Sequence, residues 1–197
     1  MNPGRLFFEI AYRIGFAPWD GHKLPSTLTA VVEGPARVPP GRALDVGCGT
    51  GDISIYLARH GWDVTAIDFA TPALARARRK SAAAGVDVRF LQADATKLQA
   101  YDLGAGFTLV NDSGCMHGFT DEGRDAYVRA LTAMVPSGGR LVLAAFQERK
   151  RRGPRGISQE EVVRRFSADW ELLSATVHPD ISNDPADPIA SYDLRRR

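Results

Sequence analysis

Cysteine is scarce in this sequence. The two present, Cys48 and Cys115, lie far apart and show neither CxxC nor mixed Cys/His spacing. No disulfide framework and no structural metal site is expected, and the chain reads as one for a reducing cytoplasm. Long apolar runs are missing too: no stretch of about 18 apolar residues exists, which argues against a membrane span. The apolar stretch over residues 6–16 is broken by Glu9 and Arg13 and lacks a clear cleavage site, so it is not read as a signal peptide. Nor is there an excess of one charge. Lys and Arg number 25 against 23 Asp and Glu, a net +2, which makes nucleic acid an unlikely general partner. Repeats and low-complexity tracts are absent. At 197 residues the chain is long enough for one core and short for two.

What is present is alternation. Residues 6–14 place Phe7, Ile10, Ala11 and Ile14 on one face at helical spacing, so a short amphipathic helix is expected. Ser26 is read as the cap of a helix ending at Gly34, and the breaker cluster at 35–41 as a boundary. Strands are then expected at 43–46, 63–68, 88–91, 107–110 and 140–146, with helices over 51–60, from Thr71 as N-cap with Pro72 at the first helical position to Gly85, from Thr120 to about 135, and from a Ser158/Glu161 capping box to about 166. Two more strands are expected near 170–177 and 189–194. Such alternation implies an α/β fold with right-handed crossovers, a mostly parallel sheet and helices on both faces. Ligands of such sheets sit at the carboxyl ends of the strands, where strand order reverses.

The first strand runs into Gly47-Cys48-Gly49-Thr50-Gly51-Asp52. Glycine lets the backbone turn sharply and approach a ligand closely, and the next helix aims free N–H groups at the same place. The second strand ends at Asp68, 21 residues after Gly47. In dinucleotide folds an acid about 20 positions on accepts both hydroxyls of a ribose. The third strand also ends in an acid, Asp94, suited to accept from an exocyclic amine. Nicotinamide-dependent oxidoreductases compete for this layout, but they usually show GxGxxG, and here Asp52 stands where the last glycine belongs.

The segments LDVGCGTGD, Asp68 after VTAI, QAD at 92–94 and PSGGRLVL at 136–143 together resemble the motifs of class I S-adenosylmethionine-dependent methyltransferases. The resemblance implies a Rossmann-like seven-stranded, mostly parallel sheet whose last strand is antiparallel. It also implies S-adenosyl-L-methionine as cofactor and S-adenosyl-L-homocysteine as product. By the same resemblance the cofactor lies against Asp45, Gly47, Cys48, Gly49 and Gly51, its ribose on Asp68 beside Phe69, its adenine beside Asp94 and Ala95, with Asn111 close by.

The segment NDSGCMHG at 111–118 follows the fourth strand, beside the expected position of the sulfonium. It lacks the N/D-P-P-Y/F pattern typical of enzymes that methylate exocyclic amines of DNA bases or glutamine amides. DSGCMHGF, with PWDGHKLP before the core and GPRGIS after the fifth strand, resembles the group of thiopurine S-methyltransferases and tellurite-resistance methyltransferases. That likeness implies an N-terminal lid over residues 1–36 above a core of 37–197, with Trp19 closing over the cofactor. A small-molecule acceptor is expected, an aromatic or heterocyclic thiol, hydroxyl or ring nitrogen, contacted by Phe7, Ile14, Ser113 and His117. His117 is the candidate general base and Asp112 the candidate positioning group. Arg152 and Arg155, in the basic run after the fifth strand, are candidate contacts to an anionic acceptor, although a solvated loop is the plainer reading. An RNA-binding or RNA-modifying methyltransferase remains an alternative, as does a monomer or a homodimer.

Overall fold

A computed structural model describes residues 3–21, 23–147, 153–178 and 188–197. Two helices open the chain, α1 (Pro3–Ile14) and α2 (Ser26–Glu33). Then come β1 (Arg42–Val46), α3 (Asp52–Arg59), β2 (Asp63–Asp68), α4 (Thr71–Ala84), β3 (Arg89–Gln92) and β4 (Leu109–Ser113). The chain continues through α5 (Asp121–Met134), β5 (Arg140–Phe146), α6 (Gln159–Phe166), β6 (Trp170–His178) and β7 (Ile189–Arg196).

The seven strands form one sheet in the order β3-β2-β1-β4-β5-β7-β6. β1 to β5 pair in parallel, and β7 runs antiparallel between β5 and β6. The mostly parallel sheet expected from the alternation is therefore present. Strand order reverses between β1 and β4, so the turns leaving those two strands flank the crevice where such sheets bind ligands.

Side-chain alternation explains why both faces carry helices. Leu44, Val46, Val110, Leu141 and Leu143 point into one core with Tyr127 and Leu131 of α5 and Phe166 of α6. Ala43, Leu109 and Val142 point into the opposite core with Leu28 and Val31 of α2, Leu57 of α3 and Leu74 of α4.

Several local expectations are corrected. Thr71 does not cap α4: Ala70 holds the cap position, and Asp68 Oδ1 accepts from its N–H at 2.8 Å. Ser26 is the first residue of α2 behind Pro25 and makes no cap bond. Ser158 does cap α6, accepting from Glu161 N at 3.2 Å, but the Glu161 carboxylate turns to arginines and does not close the box. β4 starts and ends later than the apolar run 107–110, so Asn111, Asp112 and Ser113 are strand residues. The inner face of α1 is Ala11 and Tyr12, while Phe7, Ile10 and Ile14 lie exposed, Ile14 at 73%. The aliphatic stripe misplaced that face because aromatic partners decide it: Phe8 meets Phe69 and Trp19, and Tyr12 meets Trp19.

Candidate active site at the sheet switch point

The turn after β1 is built on glycines at three positions of left-handed φ, Gly47 at +69°, Gly49 at +53° and Gly51 at +85°. A side chain at any of them would be strained. Two of them are also closely approached. A Cβ on Gly47 would lie 2.1 Å from Cys115 Sγ, and one on Gly49 would lie 2.8 Å from Tyr12 Oη. The glycine turn is thus a floor, with Cys115 of the β4 side and Tyr12 of α1 standing over it.

Three carboxylates organise this floor. Asp45, fully buried in β1, accepts from Ser54 Oγ of α3 at 2.5 Å and from Asn111 Nδ2 of β4 at 2.8 Å. Burial pushes its pKa up to about 6 against the lowering effect of those two bonds. Asp68 stands at the end of β2, where Oδ2 accepts from Gly49 N at 2.9 Å and Oδ1 from Ala70 N at 2.8 Å. Burial raises it too, while the amides of Ala70 and Gly49 hold it down. A carboxylate offers about four lone-pair sites, so each oxygen keeps capacity beyond its amide. Asp94 Oδ1 accepts from Thr96 N at 3.0 Å and Thr96 Oγ1 at 2.7 Å, opening a short 3-10 stretch, Ala95–Ala100.

Above the turn, Trp19 Nε1 donates to Tyr12 Oη at 2.7 Å. Trp19 packs edge-on against Phe8, Tyr12 and Phe16, and with Phe69 joins the small core around Tyr12, Ala70 and Ala73. Arg76 of α4 fastens α1 by donating to the Tyr12 carbonyl at 2.7 Å. Burial, then the nearby Asp68 carboxylate, raise the Tyr12 pKa strongly, so its phenol stays protonated. Tyr12 was missed in the sequence. Its signal was one aromatic within an apolar helix, with nothing in the spacing to link it to Gly49.

On the β4 side the expected residues fall into two groups. Asn111 faces α3 and is bound to Asp45, whereas Asp112, one residue on, faces the other way. Asp112 is fully buried and accepts from Cys115 N at 2.8 Å and Met116 N at 3.1 Å. Those bonds close the turn that follows β4, and burial lifts the carboxyl to about pKa 6. Ser113 is exposed beside it. His117 is buried in the 3-10 turn Met116–Gly118, where its Nδ1 faces Phe146 N at 3.1 Å and its ring stacks on Phe146 at 5.2 Å. An amide can only donate, so Nδ1 is the accepting nitrogen and the neutral ring carries its proton on Nε2. That geometry weakens the expectation of His117 as a base, because the available lone pair is already used.

The two arginines expected to contact an anionic acceptor also divide. Arg152 lies outside the described residues. Arg155 is paired, with Nη2 at 3.0 Å from both Asp121 and Glu161. It belongs to an ion-pair group between α5 and α6 that also contains Arg124 and Arg165. A charged groove of about 400 Å³ lies there, and its lining includes none of the glycine turn. Among the described residues no helix is long and apolar enough to cross a membrane.

Comparison with known proteins accords with this geometry. A family model described as a methyltransferase domain matches residues 43–139. A demethylmenaquinone methyltransferase of Thermus thermophilus is 40% identical over 112 residues, 54% of this chain and 48% of that protein. The chain therefore spans about half of that relative's length. An uncharacterised methyltransferase of Schizosaccharomyces pombe is 30% identical over 105 residues, 53% of this chain and 71% of that one. Among solved structures, 1,6-didemethyltoxoflavin-N1-methyltransferase of Burkholderia thailandensis, crystallised with S-adenosylhomocysteine, aligns with a TM-score of 0.79 at 20% identity over 98% of this chain and 86% of that one. The strand-end acids and the glycine floor fit an adenosyl cofactor, since they offer lone pairs for hydroxyls and bare backbone for close approach. With its glycine turn, its sheet order and these relatives in agreement, the chain belongs to the methyltransferase-domain family, which uses S-adenosylmethionine.

Proposed function

We propose that this chain transfers the methyl group of S-adenosylmethionine to a small-molecule acceptor by direct in-line displacement, the acceptor being an aromatic or heterocyclic thiol, hydroxyl or ring nitrogen. The observation that carries the reading is the Asp68 carboxylate, tied to Gly49 N at 2.9 Å at the end of β2. It couples the acid to the glycine turn as one preformed receptor.

When bound, the cofactor supplies an electrophilic methyl group on a sulfonium. Asp68 accepts from the ribose hydroxyls while Gly49 and Ala70 keep its oxygens aimed. Phe69 packs along the nucleoside, and Asp94 with the Ala95 backbone meets the adenine edge. Asp45 and Asn111 act from beneath, holding β1 and β4 in register through their 2.8 Å bond. Gly47, Cys48, Gly49 and Gly51 give the amino-acid end a bare floor. Tyr12 and Trp19 close it from above, within a lid over residues 1–36 on a core of 37–197. Tyr12 Oη accepts from Trp19 and keeps its own O–H, which leaves a donor beside Gly49 that a cofactor carboxylate could accept from.

On the acceptor side, Phe7 and Ile14 offer exposed apolar surface on α1, and Ser113 an exposed hydroxyl. With Nδ1 of His117 engaged, the site favours nucleophiles that ionise easily, such as acidic thiols and phenols, over those that need a strong base. The likeness of residues 112–119 to the thiopurine and tellurite-resistance group supports a thiol. Two relatives are named for a quinone and an N1 acceptor, which supports aromatic oxygen or nitrogen. In-line transfer depends on alignment and on excluding water, and the aromatic closure around Trp19 suits both.

A screen of thiols, phenols, quinolones and halides with methyl-labelled cofactor tests the reading. Label is expected on at least one aromatic thiol, phenol or heterocycle. Transfer to RNA alone, or to nothing in a preparation that binds S-adenosylhomocysteine, would overturn it.

A further inference from the structure

Arg124, in the first turn of α5, has 0% exposure. A buried guanidinium is costly unless its partners repay the loss of water, and an apolar side chain of similar volume often serves stability as well. Its partners here are unlike those of a simple core ion pair. Nη2 donates to the His117 carbonyl at 2.8 Å and to the Gly156 carbonyl at 2.7 Å. Nη1 lies 2.9 Å from Glu161 Oε1 of α6. His117 belongs to the turn leaving β4, and Gly156 to the segment between β5 and α6. The two strand ends meet again close by, through Phe146 N to His117 Nδ1 at 3.1 Å, and Ile157 N ties the segment after β5 back to the Phe146 carbonyl at 2.9 Å. Arginine presents its donors in a rigid plane, so it fixes the separation of the groups it joins.

The cofactor half has separate fasteners: Asp45 with Ser54 and Asn111, and Asp68 with Gly49. None of these involves Arg124. We propose that Arg124 is a positioning residue for the acceptor half of the site, setting the turn after β4 against the segment after β5 and holding His117 in its Nε2–H form. The inference rests on the reading that an acceptor approaches the methyl group between the ends of those two strands.

Arg124→Met and Arg124→Lys test it, with Arg165→Lys as control, because Arg165 shares Glu161 but touches neither segment. In Arg124→Met, S-adenosylhomocysteine affinity by calorimetry is expected to stay within about threefold of the unaltered protein, as for independent sites. Amide exchange at Phe146 and Ile157 is expected to quicken by about tenfold or more, since their local opening is no longer restrained. The ring ¹⁵N spectrum of His117 should lose the signature of an accepting Nδ1. For any acceptor found by the screen, KM should rise by about tenfold or more while the cofactor KM holds. Arg165→Lys should change none of these. Unchanged exchange and an unchanged His117 spectrum in folded Arg124→Met would overturn the inference, as would cofactor affinity falling in step with them. If the methionine variant fails to fold, the lysine variant carries the same comparison, since one ammonium cannot reproduce the planar fork. A screen without turnover counts against the proposed function, and affinity and exchange still decide the role of Arg124.

Discussion

Gly47 and Cys115 compete for one volume. Gly47 sits at φ +69°, and a Cβ there would fall 2.1 Å from Cys115 Sγ. Gly47→Ala is therefore expected to cost about 1 kcal/mol for the backbone region alone, and more for the displaced sulfur. Cys115→Ala removes the sulfur and leaves its Cβ 3.7 Å from the new methyl group, an ordinary contact. In a double-mutant cycle by urea denaturation the two changes should couple by about 1 kcal/mol, the double variant being more stable than the sum predicts. Strict additivity would show that the sulfur is not what limits position 47. Both cysteines are pushed well above the usual thiol range by burial. This agrees with Cys115 acting as a packing group and not as a nucleophile.

At the scale of elements, β4 shows where polarity misleads. The run 107–110 is apolar and reads as the strand, whereas the paired strand is Leu109–Ser113. Asn111 and Asp112 belong in it because each finds partners at depth, Asn111 on Asp45 and Asp112 on the amides of Cys115 and Met116. Sequence spacing carries no record of such partners, so β4 was legible as an element but not in its bounds. β2 and β5, whose interiors are continuous runs of small and apolar residues with the charged groups confined to their ends, were read at their observed limits.

The same buried acids give the fold a pH dependence. Asp45 and Asp112 titrate near 6 in the folded chain against an ordinary 3.8. Between those values the folded state binds protons that the unfolded chain has released, so stability falls as pH rises through this window. The stabilisation is complete below the unfolded value and lost above about 6, an effect of about 3 kcal/mol for each group. Denaturation between pH 4.5 and 7 should show stability rising toward the acid end, and Asp112→Asn should remove a large part of that slope whatever its own baseline cost. An unchanged slope would contradict the assignment.

Over the whole molecule, what the sequence displayed was the set of strand ends proposed to hold an adenosyl group. Gly47, Gly49, Gly51, Asp68 and Asp94 are local and ordered along the chain, and the sheet brings their turns to one edge. The N-terminal segment was half legible. Trp19 packs beside Tyr12 above the glycine turn, and Tyr12 reaches Gly49 only through the rotation of α1, which depends on Phe8, Phe69 and Arg76. The surroundings of the turn after β4 were least legible. His117 and Arg155 are set by Phe146, Arg124, Asp121 and Glu161, contacts between elements far apart in the chain.

Titration calorimetry of S-adenosylhomocysteine into the unaltered chain and into Asp68→Ala is the most direct test of the receptor at the switch point. One site is expected in the unaltered chain, with affinity falling by about 2 to 4 kcal/mol in the variant as the ribose loses two charge-assisted bonds, and no heat with NAD. Equal affinity in both proteins, or binding of NAD in place of S-adenosylhomocysteine, would contradict it.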